Sequence, residues 1–276
     1  MSGVLFVVGT PIGNLGDFSP RAVETLSSVD FIAAEDTRVT LKLLNRFGIK
    51  KPMISYFEHN KKERGDIICS RIENGENCAI VTDAGMPCIS DPGEELVKQC
   101  AERGIRTIVV PGPSAVISAL AVSGLATGRF TFEGFLSTNK KSRKEHLEQL
   151  TSEKRTMIFY EAPHKLAATL NDLYNAFGDR RISIVREITK IHEEVIRTTL
   201  KKAAENYGDG SLKGEIVLVL EGAAENVEQE EFTLEQASNM AKKLMEDGCS
   251  VSESAKQAAK ITGFKKNEIY KIIMTE

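Results

Sequence analysis

Short apolar runs alternate with helix-like segments over the first 125 residues. The runs Val4–Val8, Phe31–Ala33, Ala79–Val81 and Ile108–Val110 are rich in aliphatic residues, and each ends at a short turn-like block. Continuous apolar strands with helices between them are typical of a parallel sheet that is buried on both faces. The pattern therefore predicts an α/β domain over residues 1–125.

Helical periodicity marks the connections between these strands. Apolar residues recur at helical spacing in Arg21–Ser28 and in Glu94–Arg103. A helix of small residues is predicted over Ser114–Ser123, entered through Pro113 and closed by Gly124. These helices complete a series of βαβ units.

A second pattern begins after residue 125. It predicts strands at 130–136, 156–160, 182–186, 195–199 and 215–220, with helices at 145–150 and 165–177. Several of these strands are joined by short connections, which favours a mixed sheet. We expect a second α/β domain over residues 126–225, and the crevice between two such domains is a usual place for a small-molecule ligand.

The last part of the chain is predicted to be separate. Glu221–Glu231 is acidic, lacks apolar periodicity and is interpreted as a solvated linker, so that an acidic linker and a helical module occupy residues 226–276. Capping boxes at Thr233–Gln236 and Ser250–Glu253 open helices, which end near Gly248 and Gly263. Three helices of this kind are typical either of a helix-turn-helix-like module or of a bundle that caps the parent domain.

Composition narrows the class of protein. The 276 residues are 41% hydrophobic, which is enough for a large core, and no run is long enough to span a membrane. The N-terminus lacks the features of a signal peptide. The five cysteines are scattered, which argues against a disulfide framework or a zinc site and indicates a reducing cytosol, so we expect a cytoplasmic protein without a metal.

Charge is informative through its distribution. The net charge is −3, but basic residues cluster in Lys140–Lys144, Arg180–Arg181 and Lys265–Lys266. Three basic clusters in a slightly acidic chain are compatible equally with a polyanionic partner and with three separate solvated surfaces.

Four blocks follow the four strands of the first domain. They are Gly9–Asp17 (GTPIGNLGD), Ala34–Arg38 (AEDTR), Asp83–Gly93 (DAGMPCISDPG) and Pro111–Ala115 (PGPSA). Ligands of open α/β sheets lie outside the carboxyl ends of the strands. All four blocks are therefore predicted to form one rim, which is the candidate site.

The rim is suited to a close backbone approach to a ligand. Gly9, Gly13, Gly85 and Gly112 allow positive φ or close contact. The PGPSA turn directs free N–H groups at the start of a helix, with Ser114 as the expected cap, toward an anion such as a carboxylate or phosphate. The chain lacks the glycine motif of dinucleotide-binding folds, the P-loop and the G-x-S-x-G elbow, which argues against those three classes.

Taken together, the blocks resemble a known family. With Phe159–Leu166 (FYEAPHKL), Arg186–Lys190 (REITK) and Lys213–Glu215 (KGE), they are similar to the successive motifs of the ribosomal RNA small subunit methyltransferase I family, a bacterial branch of the tetrapyrrole methylase superfamily. The resemblance runs in order from residue 4 to residue 221, and the helical tail is also similar. The TPIGN and DAGMP turns differ from those of porphyrin-precursor methylases and diphthine synthase. His164-Lys165 occupies a position at which the ribosomal RNA small subunit methyltransferase I family often has an arginine.

The resemblance implies S-adenosylmethionine (SAM) as the methyl donor, held between two α/β domains in a homodimer. It also implies methylation of the ribose 2′-hydroxyl of a cytidine in the decoding centre of 16S ribosomal RNA, in the small ribosomal subunit. The residues that it implies for the donor are Pro11, Ile12 and Gly13 beside the reactive methyl, Asp83, Gly85, Ile89, Gly112, Ser114 and Ala115 in the following turns, and Tyr160 and Glu161 from the second domain.

A 2′-hydroxyl is a weak nucleophile, so a base or an electrostatic assistant is expected. The catalytic candidates are Glu35, Asp36 and Lys190, with Glu187 beside them, because each directly follows a strand-like run. Asp36 and Arg38 can alternatively form a structural ion pair. For the RNA phosphates, the candidates are Lys140, Lys141, Arg143 and Lys144 in a basic loop, the helical tail, and Arg38 near the target.

Two other functions remain open at this point. The same fold can methylate a small tetrapyrrole-like molecule. Alternatively, the chain is a non-catalytic ribosome assembly factor that has lost the donor, although the intact glycine rim argues against that interpretation.

Overall fold

The computed structural model describes residues 2–208, 210–224, 233–246 and 248–275. The chain divides into two units, residues 1–223 and 224–276. Most of the predicted acidic linker, residues 225–231, lies outside the described residues. We keep the boundary at residue 125 as a proposal; it falls between the helix Ala115–Ser123 and the strand Phe130–Phe135.

The first sheet is entirely parallel. Its strands are β1 Val4–Val8, β2 Phe31–Ala34, β3 Met53–Ser55, β4 Cys78–Val81 and β5 Arg106–Val110, in the order β3-β2-β4-β1-β5. The helices that connect and flank them are α1 Pro20–Ser28, α2 Thr37–Arg46, α3 Lys61–Glu73 and α4 Glu94–Glu102. A fifth helix, α5 Ala115–Ser123, follows β5 but packs through Val116, Ala119 and Leu120 on strands of the second sheet, described below. All four predicted strands are confirmed. The sequence analysis did not predict β3, α2 and α3, and β3 has only three half-buried residues, too few for a period to show.

Apolar side chains fill both faces of this sheet. Leu5 and Ile80 pack on one face with Ile68 of α3 and Leu96 of α4. Residues of β1, β2 and β4 on the opposite face pack against α1 and α2. Burial on both faces explains why these strands appear in the sequence as continuous apolar runs.

The second sheet is mixed, as the short connections predicted. Its strands are β6 Phe130–Phe135, β7 Thr156–Glu161, β8 Arg181–Arg186, β9 Glu194–Thr199 and β10 Ile216–Leu220, in the order β6-β7-β10-β8-β9. Only the β6–β7 pair is parallel. Its helices are α6 Lys140–Gln149, α7 Leu166–Phe177 and α8 Leu200–Tyr207.

The start of α6 corrects one prediction. Lys140–Lys144 was expected to be a loop, but it forms the first turns of α6. The Asn139 side chain caps this helix by accepting hydrogen bonds from the backbone N–H groups of Lys141 (3.0 Å) and Ser142 (3.2 Å). The cap satisfies N–H groups that would otherwise lack a partner, so the helix begins at the basic residues themselves.

The described residues of the second unit form three helices, α9 Leu234–Glu246, α10 Val251–Thr262 and α11 Lys266–Thr275. The first capping box is reciprocal: Thr233 N–H donates to the Gln236 side chain (2.8 Å), and Gln236 N–H donates to the Thr233 hydroxyl (3.2 Å). A small core that includes Ala237, Ala255 and Ile269 lies within this unit. Among the described residues, no helix is both long and apolar enough to cross a membrane.

The turns after β1 and β5 touch through their backbones. Gly9 N–H donates to the carbonyl of Val110 (3.1 Å). A Cβ on Gly9 would lie 2.7 Å from the Cα of Gly112, and a Cβ on Gly112 would lie 2.8 Å from the Cα of Gly9. Any side chain at either position would push the two turns apart. Close approach is therefore the reason for glycine at both positions.

We predict that Gly112→Ala destabilises the protein by about 1–3 kcal/mol, because backbone atoms have to move to admit the methyl group. Gly128→Ala is the matched control, since a Cβ there meets nothing within 4 Å. Its effect should stay within about 0.5 kcal/mol. Urea unfolding monitored by circular dichroism measures both, and equal midpoints for the two variants would contradict the prediction.

Candidate active site

The four sequence blocks lie at one edge of the first sheet. They directly follow β1, β2, β4 and β5, which are parallel, so their carboxyl ends point the same way. The first and third blocks are joined by backbone hydrogen bonds in both directions, from Thr10 N–H to the carbonyl of Gly85 (2.9 Å) and from Gly85 N–H to the carbonyl of Thr10 (3.1 Å). The predicted rim is thus one connected structure.

A cleft of about 390 Å³ separates this rim from the second sheet. Its volume lies in the usual range for small-ligand sites. Its walls are mostly apolar, and they also carry three carboxylates. The rim contributes Ile12, Ala84, Ser90, Asp91 and Ala115, and the second sheet region contributes Phe135, Tyr160, Glu161, Ala162, Pro163, Ile188, Glu215, Ile216 and Val217.

Four of the residues that the resemblance implied for the donor line this cleft: Ile12, Ala115, Tyr160 and Glu161. The others lie in the same turns without lining it: Pro11, Gly13, Asp83, Gly85, Ile89, Gly112 and Ser114. Gly85 lies directly behind the wall, because a Cβ there would be 3.4 Å from Ile12. These supporting residues shape the cleft through the backbone.

Ser114 differs from the expectation in one detail. It occupies the N-cap position of α5, but its side chain makes no capping hydrogen bond. The predicted hydroxyl cap is therefore wrong. The N–H groups of the first turn of α5 are left without that cap, beside the cleft residue Ala115.

Several residues that line the cleft were not predicted from the sequence. Asp91, Ile188 and Glu215 belong to blocks that the sequence analysis singled out, so a signal for them was present. Phe135 and Val217 belong to no such block. Val217 reaches the cleft wall because β10 pairs with β7 in the register that sets it opposite Tyr160.

Aromatic rings build one wall of the cleft. The ring of Tyr160 meets those of Phe132 and Phe135 edge-on, with centroid distances of 5.0 Å and 5.5 Å. Burial raises the pKa of Tyr160 to about 12. The phenol is therefore neutral at ordinary pH and presents a π face and a hydroxyl rather than a charge.

Asp91 connects the cleft with a neighbouring cavity. That cavity has a volume of about 550 Å³, and its walls include Glu35, Phe57 and Glu58. Asp91 and Ser90 line both spaces. Burial, and then the nearby carboxylate of Glu35, raise the pKa of Asp91 to about 6.

Strained backbone flanks both sides of the cleft. Cys88 and Ser90 have φ values of 73° and 62°, and Glu187 and Thr189 have values of 52° and 69°. Non-glycine residues rarely adopt this left-handed region, and such strain concentrates at functional sites. Ser90 lines the cleft, and so does Ile188, which lies between the strained residues of the second pair.

The carboxylate of Asp36 makes two kinds of interaction. Its carboxylate accepts the backbone N–H of Arg38 (2.8 Å) at the start of α2, and it pairs with the Arg38 guanidinium at 2.6 Å. The hydrogen bonds from the Arg38 side chain and backbone lower the pKa of Asp36 to about 2. The structural ion pair that was left open is therefore present, and a carboxylate of this kind is a weak base.

Lys190 is a paired cation. Its Nζ lies 3.0 Å from Glu187 Oε1 and 3.0 Å from Glu215 Oε2. Burial opposes its charge, but hydrogen bonds to these two carboxylates outweigh that effect and raise the pKa of Lys190. Its side chain packs on the first turn, since a Cβ on Gly13 would lie 2.6 Å from Lys190 Cγ. This contact joins the two sheet regions beside the cleft.

Glu35 faces the neighbouring cavity. Its Oε2 accepts a hydrogen bond from the Thr82 hydroxyl (2.5 Å). The side chain lines that cavity together with Asp91 but does not line the cleft itself. Of the three catalytic candidates, it is the one nearest to the junction of the two spaces.

The basic residues of α6 have two different environments. Lys141 and Lys144 are 86% and 77% exposed and make loose ion pairs with Glu145 (3.9 Å) and Glu148 (3.6 Å). Lys140 is also exposed. The side chain of Arg143 is only 15% exposed and is held by Asp172 at 2.6 Å. Arg143 therefore does not share the open surface of the three lysines.

Comparison with known proteins agrees with this architecture. A family model described as tetrapyrrole (corrin/porphyrin) methylases matches residues 4–204. A Synechocystis protein named ribosomal RNA small subunit methyltransferase I is 47% identical over 271 residues, which are 98% of this chain and 97% of that protein. A Thermotoga maritima protein of the same name is 48% identical over 220 residues, 80% of this chain and 99% of that protein.

A solved structure shows the same fold. The cobalamin biosynthetic enzyme cobalt precorrin-4 methyltransferase matches with a TM-score of 0.59 at 17% identity, over 79% of this chain and 94% of its own. At this identity the likeness concerns the fold alone.

The pKa of Asp91 generates a prediction about stability. Because the pKa is raised from 3.8 to about 6, the folded protein retains between these pH values a proton that the unfolded chain loses. The stability of the wild type therefore falls as the pH rises through this window. We expect Asp91→Asn to gain about 1 kcal/mol relative to the wild type between pH 4.5 and pH 7, a figure discounted for partial exposure.

Urea unfolding at the two pH values checks this expectation. Asp36→Asn is the control: Asp36, with a pKa of about 2, stays ionised in the folded protein over this range. Its difference from the wild type should therefore stay nearly constant. A constant difference for Asp91→Asn would show that burial does not penalise the carboxylate.

Proposed function

We propose that this chain, which belongs to the tetrapyrrole (corrin/porphyrin) methylase family and within it to the ribosomal RNA small subunit methyltransferases I, is a SAM-dependent RNA methyltransferase. Its target is the ribose 2′-hydroxyl of a cytidine in the decoding centre of 16S ribosomal RNA, and it acts in the cytoplasm. The cleft between the two sheets carries the proposal, because it offers a donor site that opens beside a second cavity. The name of the relatives narrows the acceptor to RNA.

The cleft residues fit a sulfonium donor. Such a donor carries a positive charge on sulfur, and Asp91 and Glu161 place carboxylates around the cleft, whereas Glu215 is already paired with Lys190. Tyr160 adds an aromatic face, which also attracts cations. The first turn of α5 can receive the donor's carboxylate end. When bound, the donor supplies an electrophilic methyl group.

Asp91 is the proposed base, although the sequence candidates were Glu35, Asp36 and Lys190. It lies where the donor cleft meets the neighbouring cavity, so an acceptor hydroxyl at that junction is within its reach. A base with a pKa of about 6 is mostly ionised at neutral pH and still accepts a proton effectively. Asp36 is a weaker base, and Lys190 as a paired cation has no lone pair to offer.

The reaction is a direct displacement. Held by the cleft residues, the donor would present its methyl carbon to the ribose oxygen, and formation of the O–C bond would be balanced by cleavage of the C–S bond with a neutral thioether as the leaving group. The hydroxyl proton passes to the carboxylate of Asp91. Because little acid catalysis is needed, the main task of the protein is to hold the two reactants in line. The Gly9–Gly112 contact and the Thr10–Gly85 bridge supply that rigidity.

Lys190 has a supporting role in this proposal. It pairs with both Glu187 and Glu215 and so compensates one of their two negative charges beside the strained segment around Ile188. Its contact with Gly13 keeps the first turn against the second sheet region. Lys190 thus sets the width of the cleft.

The RNA partner is held by exposed cations. Lys140, Lys141 and Lys144 lie on the first turns of α6, and the side chain of Arg38 is 86% exposed. Arg143 is left out of this set because of its partners. The helical tail, residues 233–275, stays a further candidate for phosphate contacts.

We also propose a homodimer. β5 is an edge strand of the first sheet, and Val109 on it is 53% exposed. Ile117 on the neighbouring α5 is exposed to the same extent. Apolar side chains at an open sheet edge favour a partner surface.

The reaction itself is tested with small ribosomal subunits that lack the modification, incubated with SAM and the protein. We expect 2′-O-methylcytidine in the digested RNA by mass spectrometry, and kcat about 10²–10⁴-fold lower for Asp91→Asn, as for the loss of a general base. Asp36→Ala is the matched control and should retain single-turnover methylation and SAM affinity. Methylation of a corrin precursor would indicate a small-molecule enzyme, and no binding at millimolar SAM would indicate an assembly factor.

RNA binding gives a second prediction. Replacing Lys140, Lys141 and Lys144 by Met should weaken affinity for small-subunit RNA, and should reduce the slope of log affinity against log salt by about 2–3, one unit for each phosphate contact. The opposite variant, Glu145→Gln with Glu148→Gln, frees two of these lysines and should tighten binding. An unchanged slope in filter-binding titrations from 50 to 200 mM salt, a range typical of such tests, would remove α6 from the RNA interface.

A further inference from the structure

Arg143 is a cation whose hydrogen bonds are made inside the protein. Its Nε donates to Asp172 Oδ2 at 2.6 Å, and its Nη2 donates to the Thr169 hydroxyl at 2.8 Å. Both partners lie on α7, so the guanidinium bridges α6 and α7. An arginine bound in this way has little freedom to turn toward a phosphate.

The Thr169 hydroxyl continues the connection. It accepts from Arg143 and donates its own hydrogen to Glu161 Oε2 through a short hydrogen bond. Thr169 is 1% exposed. Because a hydroxyl has one hydrogen and here uses it toward Glu161, the donor and acceptor directions of this chain of contacts are fixed.

Glu161 is the last residue in this series of hydrogen bonds. It is the last residue of β7 and is 5% exposed, and its Oε1 accepts the backbone N–H of Ala162 at 2.8 Å. Glu161 and Ala162 both line the cleft. A carboxylate buried to this degree is costly unless hydrogen bonds compensate its charge.

We propose that Arg143 is a positioning residue of the donor cleft, which acts through Thr169 to fix the carboxylate of Glu161 in the orientation that binds the methyl donor. The inference rests on the proposed function, since it takes SAM as the ligand of this cleft. It replaces the expectation that Arg143 contacts RNA phosphates. The three lysines of α6 and Arg143 thereby serve two different ligands from one helix.

The geometry explains why arginine and threonine are needed. The guanidinium donates to Asp172 and Thr169 at the same time from different nitrogens, which a lysine ammonium does less rigidly. Valine has nearly the shape of threonine but cannot relay a hydrogen bond, whereas serine can. The pair Thr169→Val and Thr169→Ser therefore separates the relay from packing.

The test is calorimetric titration with SAM in the absence of RNA, so that the positively charged donor binds without an acceptor to react with. We expect Thr169→Val and Arg143→Met to weaken binding about tenfold, as for a buried charged acceptor that loses one hydrogen bond. Thr169→Ser should stay within about twofold of the wild type, a difference below 0.5 kcal/mol. Lys144→Met is the matched control on the same helix and should leave this affinity unchanged.

RNA affinity is measured on the same proteins, because it separates the two roles of Arg143. We expect Arg143→Met to keep the affinity of the wild type for small-subunit RNA. Loss of RNA affinity with unchanged ligand affinity would make Arg143 a phosphate contact and overturn the inference. Normal ligand affinity in Thr169→Val would overturn it as well, even if the melting temperature falls.

Two further outcomes keep the test decisive. If circular dichroism shows that Thr169→Val does not fold, Arg143→Met and Thr169→Ser still test the relay. A relay requires weaker binding in Arg143→Met and normal binding in Thr169→Ser. If the wild type itself does not bind SAM, the donor assignment is wrong, and the proposed function fails together with this inference. Binding by the wild type and by every variant alike would contradict the relay alone.

Discussion

The backbone contact between the turns after β1 and β5 is the constraint on which the site depends. Parallel strands bring their carboxyl ends to one edge, but only glycine at positions 9 and 112 lets the two turns meet at van der Waals distance. The Thr10–Gly85 bridge then ties the turn after β4 to the same frame. These contacts are made by the backbone and are rigid. They define one wall of the cleft independently of the side chains that line it.

The carboxylates around that wall differ in pKa because their surroundings differ. Asp36 caps a helix and pairs with an exposed arginine, so that its pKa falls to about 2. Asp91 is half-buried near other acids, so that its pKa rises to about 6. Two residues of one type on one rim thus become a structural anion and a candidate base, and environment rather than residue identity assigns the roles. This is why Asp91 replaces the earlier candidates in the proposed mechanism.

The basic residues of α6 likewise differ in role because their surroundings differ. Its cations are close in sequence, yet the three lysines are exposed while Arg143 turns inward to α7. Helical geometry separates them, because successive residues of a helix point about 100° apart and only one direction faces α7. A cluster of charge in a sequence therefore need not be one surface. Here it divides into a candidate RNA contact and a candidate support for the donor cleft.

The sequence by itself determined every described strand but β3, the parallel character of the first sheet, the mixed second sheet and the rim, because these follow from local periodicity and from turn residues. It also pointed to Ile12, Ala115, Tyr160 and Glu161, which line the cleft. Tertiary structure alone decided that Phe135 and Val217 complete the wall, that Arg143 is buried against α7, and that Ser114 leaves its helix uncapped. Those features depend on the register between distant strands, on burial and on partners far along the chain, and none of these leaves a periodic trace in the sequence.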